Sequence, residues 1–105
     1  MHILASFAML VAVLPATMAF ITIEVYNGKD CTGSRDNETR AIRGECRRLN
    51  VEAHSGRTHM NSNGDCLVNY YGANCEDGTI VAIQDGASSC GNYWGMVRSV
   101  RAASC

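Results

Sequence analysis

The sequence predicts an all-β fold, and three observations lead to this prediction. No segment after residue 19 has a strong helical period, whereas several short segments alternate apolar and polar residues or are rich in β-branched ones. Turn signals such as Asn-Gly and Asp-Gly separate these segments at short intervals. Six cysteines in a short chain indicate a disulfide framework. Together these features favour a small sandwich or Greek-key barrel stapled by three disulfides.

The N-terminal stretch is set apart from this domain. Residues 3–14 form a largely apolar run, Pro15 follows it, and a small-residue cleavage signal ends at Ala19. We therefore expect a secretory signal peptide over residues 1–19 and a secreted, extracellular domain over residues 20–105. An uncleaved membrane anchor is the alternative, and the proline and the lack of a basic flank argue against it.

The predicted strands follow from the residue pattern of the mature chain. The segment "ITIEVY" at 21–26 alternates, so its apolar residues share one face, and the turn signal Asn27-Gly28 comes directly after it. Residues 31–40 are polar, and the stretch at 61–65 is typical of a loop. Further strands are predicted at 41–49, 66–71, 79–84 and 96–100.

The mature chain contains an internal repeat. Sliding the sequence along itself by 44 residues aligns its two halves without a gap. Such self-similarity indicates one supersecondary unit present twice, with repeat one at about residues 21–60 and repeat two at about residues 65–105. The residues that coincide are Tyr26 with Tyr70, Gly28 with Gly72, Cys31 with Cys75, Cys46 with Cys90, Ser55 with Ser99 and Arg57 with Arg101.

The repeat also restricts the disulfide pairing. Equivalent cysteines are expected to pair in equivalent ways, and the economical arrangement joins cysteines within each copy. Two cysteines without a counterpart at the offset would then pair with each other. A swapped arrangement between the copies is also symmetric and stays open. No zinc site is expected, because no two cysteines form a close pair. The expected bridges are Cys31–Cys46, Cys75–Cys90 and Cys66–Cys105.

The first copy resembles a known β-motif. The pattern Tyr26-x4-Cys31-x-Gly33, after an alternating strand and followed by Ser55, is similar to the βγ-crystallin Greek-key signature, which has an aromatic residue at the cysteine position. The resemblance implies a sandwich of two Greek-key motifs, each with its downstream serine packed against a folded hairpin. The second copy departs from the pattern at its glycine, Gly78, which stands one residue late.

The cysteine layout also resembles the small cysteine-rich proteins that filamentous fungi secrete, among them candidate effectors and killer toxins with crystallin-like folds. This resemblance implies an effector that acts at the host interface during infection. An antimicrobial or killer-type toxin and an inhibitor of a secreted hydrolase are the alternatives. The expected partner is a host or competitor protein or a cell-surface component, and the protein is expected to be a monomer.

Enzymatic chemistry is not expected. The sequence has no nucleophile elbow, zincin motif, P-loop or dinucleotide-binding glycine set. Ser55 stands beside His54, but its repeat equivalent Ser99 has no histidine nearby, so the serine is interpreted as a packing residue. Calcium, which microbial crystallin-like domains bind, would find too few oxygen ligands at residues 50–55. We therefore expect no catalytic residues, no cofactor and no metal.

Charges and aromatic residues suggest where a partner could bind. The net charge of −1 disfavours nucleic acid, and acids interleaved with the arginines of the first half predict a salt-bridged face. Trp94 is the leading candidate for burial in so small a core; if exposed, it would anchor a partner. A glycosylation sequon marks Asn37. The candidate binding residues are Arg47, Arg48, Tyr71 and Trp94.

Overall fold

The described chain is built from β-strands. The computed structural model describes residues 20–61 and 64–105, and the predicted signal peptide lies outside the described residues. A single turn of 3-10 helix covers Asp77–Thr79, and no helix in the described ranges is long and apolar enough to cross a membrane. The all-β prediction is confirmed by six strands: β1 Phe20–Tyr26, β2 Arg40–Ile42, β3 Arg47–Asn61, β4 Asp65–Tyr70, β5 Ile80–Asp85 and β6 Gly91–Ser104.

Most predicted strands coincide with observed ones. The segments at 21–26, 66–71 and 79–84 correspond to β1, β4 and β5, and the segment at 96–100 lies within the longer β6. The single strand predicted at 41–49 is wrong. The chain turns at Gly44, whose φ of +79° suits a residue without a side chain, and separates β2 from β3 there.

All six strands pair antiparallel in the order β2-β1-β3-β6-β4-β5, but the two long strands are divided between two layers. The register between β3 and β6 shifts on both sides of Ala53. As a result β1 pairs only with the second half of β3, from Ser55 onward, and β4 pairs only with the second half of β6, from Ser99 onward. Each long strand therefore crosses from one layer to the other, which gives a sandwich-like arrangement. The first layer contains β2, β1, the second half of β3 and the start of β6. The second layer contains β5, β4, the second half of β6 and the start of β3.

One core lies between the two layers. Alternate residues of β1 are fully buried, as the sequence pattern predicts, and β4 supplies Leu67 from the opposite layer. β1 and β4 are not neighbours in the sheet, so their shared core requires the sheet to fold over on itself. The largest apolar side chains with almost no exposed surface are Ile21, Ile23, Val25, Leu67, Val97 and Val100.

The strand pairing has an internal two-fold symmetry. Tyr26 lies opposite Ser55 in the first copy, and Tyr70 lies opposite Ser99 in the second, so the same pairing recurs at the 44-residue offset. The same holds between β3 and β6: replacing both residues of a pair by their equivalents at the 44-residue offset gives a pair that is also observed. Ala53 opposite Val97 converts into itself and marks the axis. The pairs that interconvert are Arg47–Val100 with Gly56–Gly91, and Arg48–Ser99 with Ser55–Asn92.

Each copy also has a folded hairpin closed by a serine. The Ser55 hydroxyl donates to the carbonyl of Gly28 at 2.6 Å and accepts from the amide of Cys31 at 2.8 Å. In the second copy Ser99 makes the same two contacts, to the carbonyl of Gly72 and from the amide of Cys75. These bonds satisfy backbone groups that the tight turn leaves unpaired, and they hold each serine against its hairpin.

The disulfides join the copies to each other. The predicted bridges Cys31–Cys46 and Cys75–Cys90 are wrong, whereas the predicted third bridge is present. The cause is the crossing of β3: its first half pairs with β6 in the second layer, so the cysteine just before it meets the hairpin of the other copy. Two-fold symmetry relates the first two bridges. The observed pairs are Cys31–Cys90, Cys46–Cys75 and Cys66–Cys105.

Candidate functional site

Trp94 is almost fully exposed, against the expectation that it would be buried. Its side chain is 91% accessible, whereas its neighbour Tyr93 is 5% accessible. Adjacent residues of a strand point to opposite faces, so only one of the two rings can enter the core. Tyr93 takes the inner position because Gly56 leaves room for it, and its hydroxyl donates to Gln84 Oε1 at 3.0 Å. Burial raises the pKa of Tyr93, which keeps this hydroxyl neutral and able to donate.

The exposed indole forms one wall of a small apolar cleft, which we call the Trp94 cleft. The cleft has a volume of about 210 Å³ and is lined by Ile80, Val81, Trp94 and Gly95. A side chain at Gly95 would reach within 3.7 Å of Val81, so the glycine helps to keep the cleft open. Ile80 is 47% exposed. An apolar side chain of a partner could fill this space and stack on the indole.

The equivalent place in the first copy is polar. Two-fold symmetry puts Asn50 where the second copy has Trp94. There the buried carboxylate of Asp36 accepts from the amides of Asn50 at 2.5 Å and Glu38 at 3.0 Å. The motif therefore forms the equivalent surface of the first copy without an exposed indole. The apolar character of the Trp94 cleft belongs to the second copy and is not required by the motif.

The other predicted binding residues lie elsewhere. Arg47 makes ion pairs with Glu38 and Glu45, in agreement with the predicted salt-bridged face. Arg48 donates to Asn74 Oδ1 at 2.9 Å and lines an open groove of about 340 Å³. The groove is lined by Arg48, Leu49, Asn50, Val51, Glu52, Ala73 and Arg98.

Tyr71 contacts Arg98, which is one of the residues that line the groove. The guanidinium of Arg98 lies 5.3 Å from the Tyr71 ring centre and 3.5 Å from the Glu52 carboxylate. The structure thus brings Tyr71 and Arg48 to one surface and places Trp94 in a separate cleft. Both arginines of the groove already have protein partners, so it offers less unused binding capacity than the exposed indole.

The remaining residues singled out from the sequence are Asn37, Ser55 and the cysteines. Asn37, the glycosylation sequon, is exposed in the loop between β1 and β2. Ser55 is fully buried and occupied by its hairpin contacts, which leaves it no role beside His54. Cys66, Cys105 and Asp85 come within 4.8 Å of one another, but the two sulfurs are bonded together, so this group offers a metal only one carboxylate.

A cluster of titratable side chains occupies the outer face of the first layer. Glu24 accepts from the Tyr26 hydroxyl at 2.7 Å, lies 2.8 Å from His59 Nε2 and 3.8 Å from Arg57 Nε. The Tyr26 hydrogen bond, followed by that of His59, holds the pKa of Glu24 below its ordinary value. The equivalent of Glu24 in the second copy is Val68, so this ionic cluster is confined to the first copy.

Acid should weaken this cluster. The folded-state pKa of Glu24 lies below 4.5, so its stabilising contribution is complete above that pH and is lost as the pH falls through the folded-state pKa. We expect Glu24→Gln to remove part of the loss of thermal stability between about pH 6 and about pH 3. Asp77→Asn, at an exposed turn, is the control and should keep the wild-type dependence. An unchanged profile for Glu24→Gln would contradict this assignment.

Two exposed residues of β5 did not stand out in the sequence. Ile80 and Ile83 belong to a predicted strand and are 47% and 61% exposed. Their signal was a strand with apolar residues on both faces, a pattern that is also typical of a fully buried strand. Only the position of β5 at the end of the sheet distinguishes the two cases.

Comparison with known proteins adds no relative. No protein-family model matches the chain, and neither the curated proteins nor the solved structures contain a significant match to it.

Proposed function

We propose that the protein is a secreted, non-catalytic interaction protein that binds a partner macromolecule through the Trp94 cleft. The observation that carries the proposal is the exposure of Trp94, 91% on a strand at the centre of the sheet order. Tryptophan is among the residues most often found at the energetic centre of protein interfaces. Three disulfides fit an extracellular site of action, where thiols are oxidised.

The indole of Trp94 has enough surface to contribute substantially to the free energy of binding. Burying an aromatic side chain of about 150–250 Å² contributes roughly 4–6 kcal/mol before the costs of association are subtracted. Trp94 lies on β6, in the stretch where the register with β3 shifts, and Cys90, just before that strand, is bridged to the hairpin of the first copy. This bracing reduces the entropy that binding would otherwise cost.

The resemblance to small secreted fungal proteins supports an effector role at the host interface. The expected partner is then a host protein or cell-surface component, bound outside the host cell or after uptake. A killer-type toxin or an inhibitor of a secreted hydrolase would use the same frame for a different target. These roles differ in when the protein is made and in what it does to other cells.

Trp94→Ala should abolish the biological activity and leave the fold intact. The source organism, with its gene deleted, would be complemented with wild type, Trp94→Ala or Arg48→Ala, and colonisation of its host would be scored. We expect wild type and Arg48→Ala to restore colonisation and Trp94→Ala to fail, with unchanged melting temperatures, because an exposed side chain contributes little to stability.

Two results would overturn the proposal. Full complementation by Trp94→Ala would show that the cleft has no role. Expression independent of the host, together with growth inhibition of yeasts by the purified protein, would assign it to the toxins instead.

A further inference from the structure

The strand beside the Trp94 cleft has an open edge. Among the described strands β5 is the last of the sheet and pairs with β4 alone, so one row of its backbone amides and carbonyls faces away from β4. At its end the carbonyl of Asp85 accepts from the Thr58 hydroxyl at 2.6 Å. Ile83 on this strand is 61% exposed, and Ile80 at its start lines the cleft. Open strand edges are templates for pairing with another chain, and proteins that do not use them normally protect them.

The opposite edge of the sheet, formed by β2, has features that protect a strand edge from pairing with another chain. There β2 has only three residues and begins at Arg40, with Arg43 just after its end. β5 has six residues and carries no Lys or Arg. The two strands occupy equivalent places at the two ends of the sheet order, but they differ in length and in charge. The second copy has an edge that is longer and apolar, and that is unprotected except at the Asp85 carbonyl.

Acidic residues flank the unprotected edge. Asp77 lies in the turn before β5 and Asp85 is its last residue, and both are exposed. No Lys or Arg occurs between Thr58 and Val97 in the sequence. A second copy of this chain pairing through the same edge would bring like charges together, which is unfavourable. The charge pattern instead complements a partner that is apolar at its centre and basic around it.

We infer that the β5 edge and the Trp94 cleft form one docking site for an extended polypeptide segment in which Lys or Arg alternates with apolar residues. The segment adds to the sheet as a further strand, with its backbone bonded to β5. Six residues of β5 span roughly 20 Å, so a partner segment of similar length would place its basic residues near Asp77 and Asp85. An apolar side chain at one end would enter the cleft beside Ile80. This inference rests on the proposed function and names its partner class.

The test uses Trp94 as the reporter, since it is the only tryptophan of the chain. The probe is an acetylated, amidated octapeptide in which lysine alternates with valine, titrated into the disulfide-intact protein. We expect saturable binding with a blue shift of the emission. One control peptide replaces lysine by glutamate. A second methylates the backbone nitrogens of alternate residues, which removes the donors that would face β5 and leaves the side chains unchanged.

Protein variants separate the contributions of charge and edge. Asp77→Asn with Asp85→Asn should weaken binding about fivefold at low salt, because two exposed charge pairs are lost. Ile83→Lys, which copies the protection of the opposite edge, should abolish binding and retain the melting temperature. If Ile83→Lys fails to fold, the methylated peptide still tests the edge on the unaltered protein.

Several outcomes would overturn the inference. Equal binding of the glutamate or methylated peptide excludes basic strand addition, and so does the absence of binding by the lysine peptide. A dimer at micromolar concentration that Ile83→Lys dissociates assigns the edge to a second copy. A blue shift with neutral phosphatidylcholine vesicles alone assigns the cleft to a lipid surface. If Ile83→Lys complements colonisation while Trp94→Ala does not, the strand inference fails and the proposed function stands.

Discussion

Replacing Gly56 by alanine is expected to destabilise the protein strongly, although it adds a single methyl group. A side-chain carbon at this position would overlap the hydroxyl of Tyr93 and come within 2.9 Å of Val25 Cγ1. All three residues are buried. Overpacking a core costs about 1–3 kcal/mol, and displacing the tyrosine would also break its hydrogen bond to Gln84. We expect a loss of about 3 kcal/mol in the free energy of unfolding.

A double-mutant cycle identifies the cause. Tyr93→Phe removes the overlapping oxygen and one hydrogen bond, and by itself should cost about 1–1.5 kcal/mol. In the presence of Tyr93→Phe, Gly56→Ala should cost clearly less than it does alone, because its main obstruction is gone. Urea unfolding of the four proteins gives the coupling energy. Strict additivity would contradict the assigned contact.

The symmetry-related pair of positions shows why this cycle should work. Two-fold symmetry relates Gly56 to Val100 and Tyr93 to Leu49, and all of these residues except the glycine belong to the same core cluster. One of these two symmetry-related pairs combines the large Tyr93 ring with a glycine, and the other combines Leu49 with a valine. The paired volumes compensate, as expected where a densely packed interior tolerates changes of size only in combination.

Removing the bridge Cys31–Cys90 is expected to have the largest effect on stability. The two cysteines are 59 residues apart in sequence, and a loop of that length constrains the unfolded chain by about 4 kcal/mol. For a domain of this size such a loss lowers the melting temperature by roughly 20 °C. The double substitution Cys31→Ser with Cys90→Ser should fold less stably and contain no free thiols.

A mismatched substitution is the control for the pairing. Cys31→Ser with Cys46→Ser removes one cysteine from each of two bridges, which leaves Cys75 and Cys90 without partners. Thiol titration in denaturant should then find two free thiols per chain. Finding none in this variant, and two in the matched one, would restore the pairing within each copy. Peptide mapping under non-reducing conditions checks the same point in the wild type.

The fold class and the hairpins could be predicted because their signals are local. Alternation identifies β1, and the resemblance of the Tyr26 to Cys31 spacing to the crystallin motif implies a folded hairpin that packs against Ser55. The bridge partners could not be predicted in the same way. Both symmetric arrangements satisfy the repeat, and the choice depends on where β3 crosses between layers. That crossing is set by register shifts around Ala53, which have no distinctive residue pattern.

The exposed face of β6 depends equally on distant residues. Tyr93 and Trp94 are adjacent aromatic residues, and their sequence does not tell which one faces inward. Gly56 decides between them, because it provides space for the tyrosine ring from another strand. The unprotected edge of β5 is likewise a property of the strand order, so Ile83 could be assigned to a strand but not to a surface.

The disulfides that join the two copies affect how the protein withstands cleavage by proteases. A cut in the backbone between Asn61 and Asp65 would divide the chain into two fragments, yet Cys31–Cys90 and Cys46–Cys75 would still tie them together. Bridges confined to each copy would let the fragments diffuse apart. A nicked molecule could therefore remain assembled, with its tryptophan still presented, for as long as the surroundings stay oxidising.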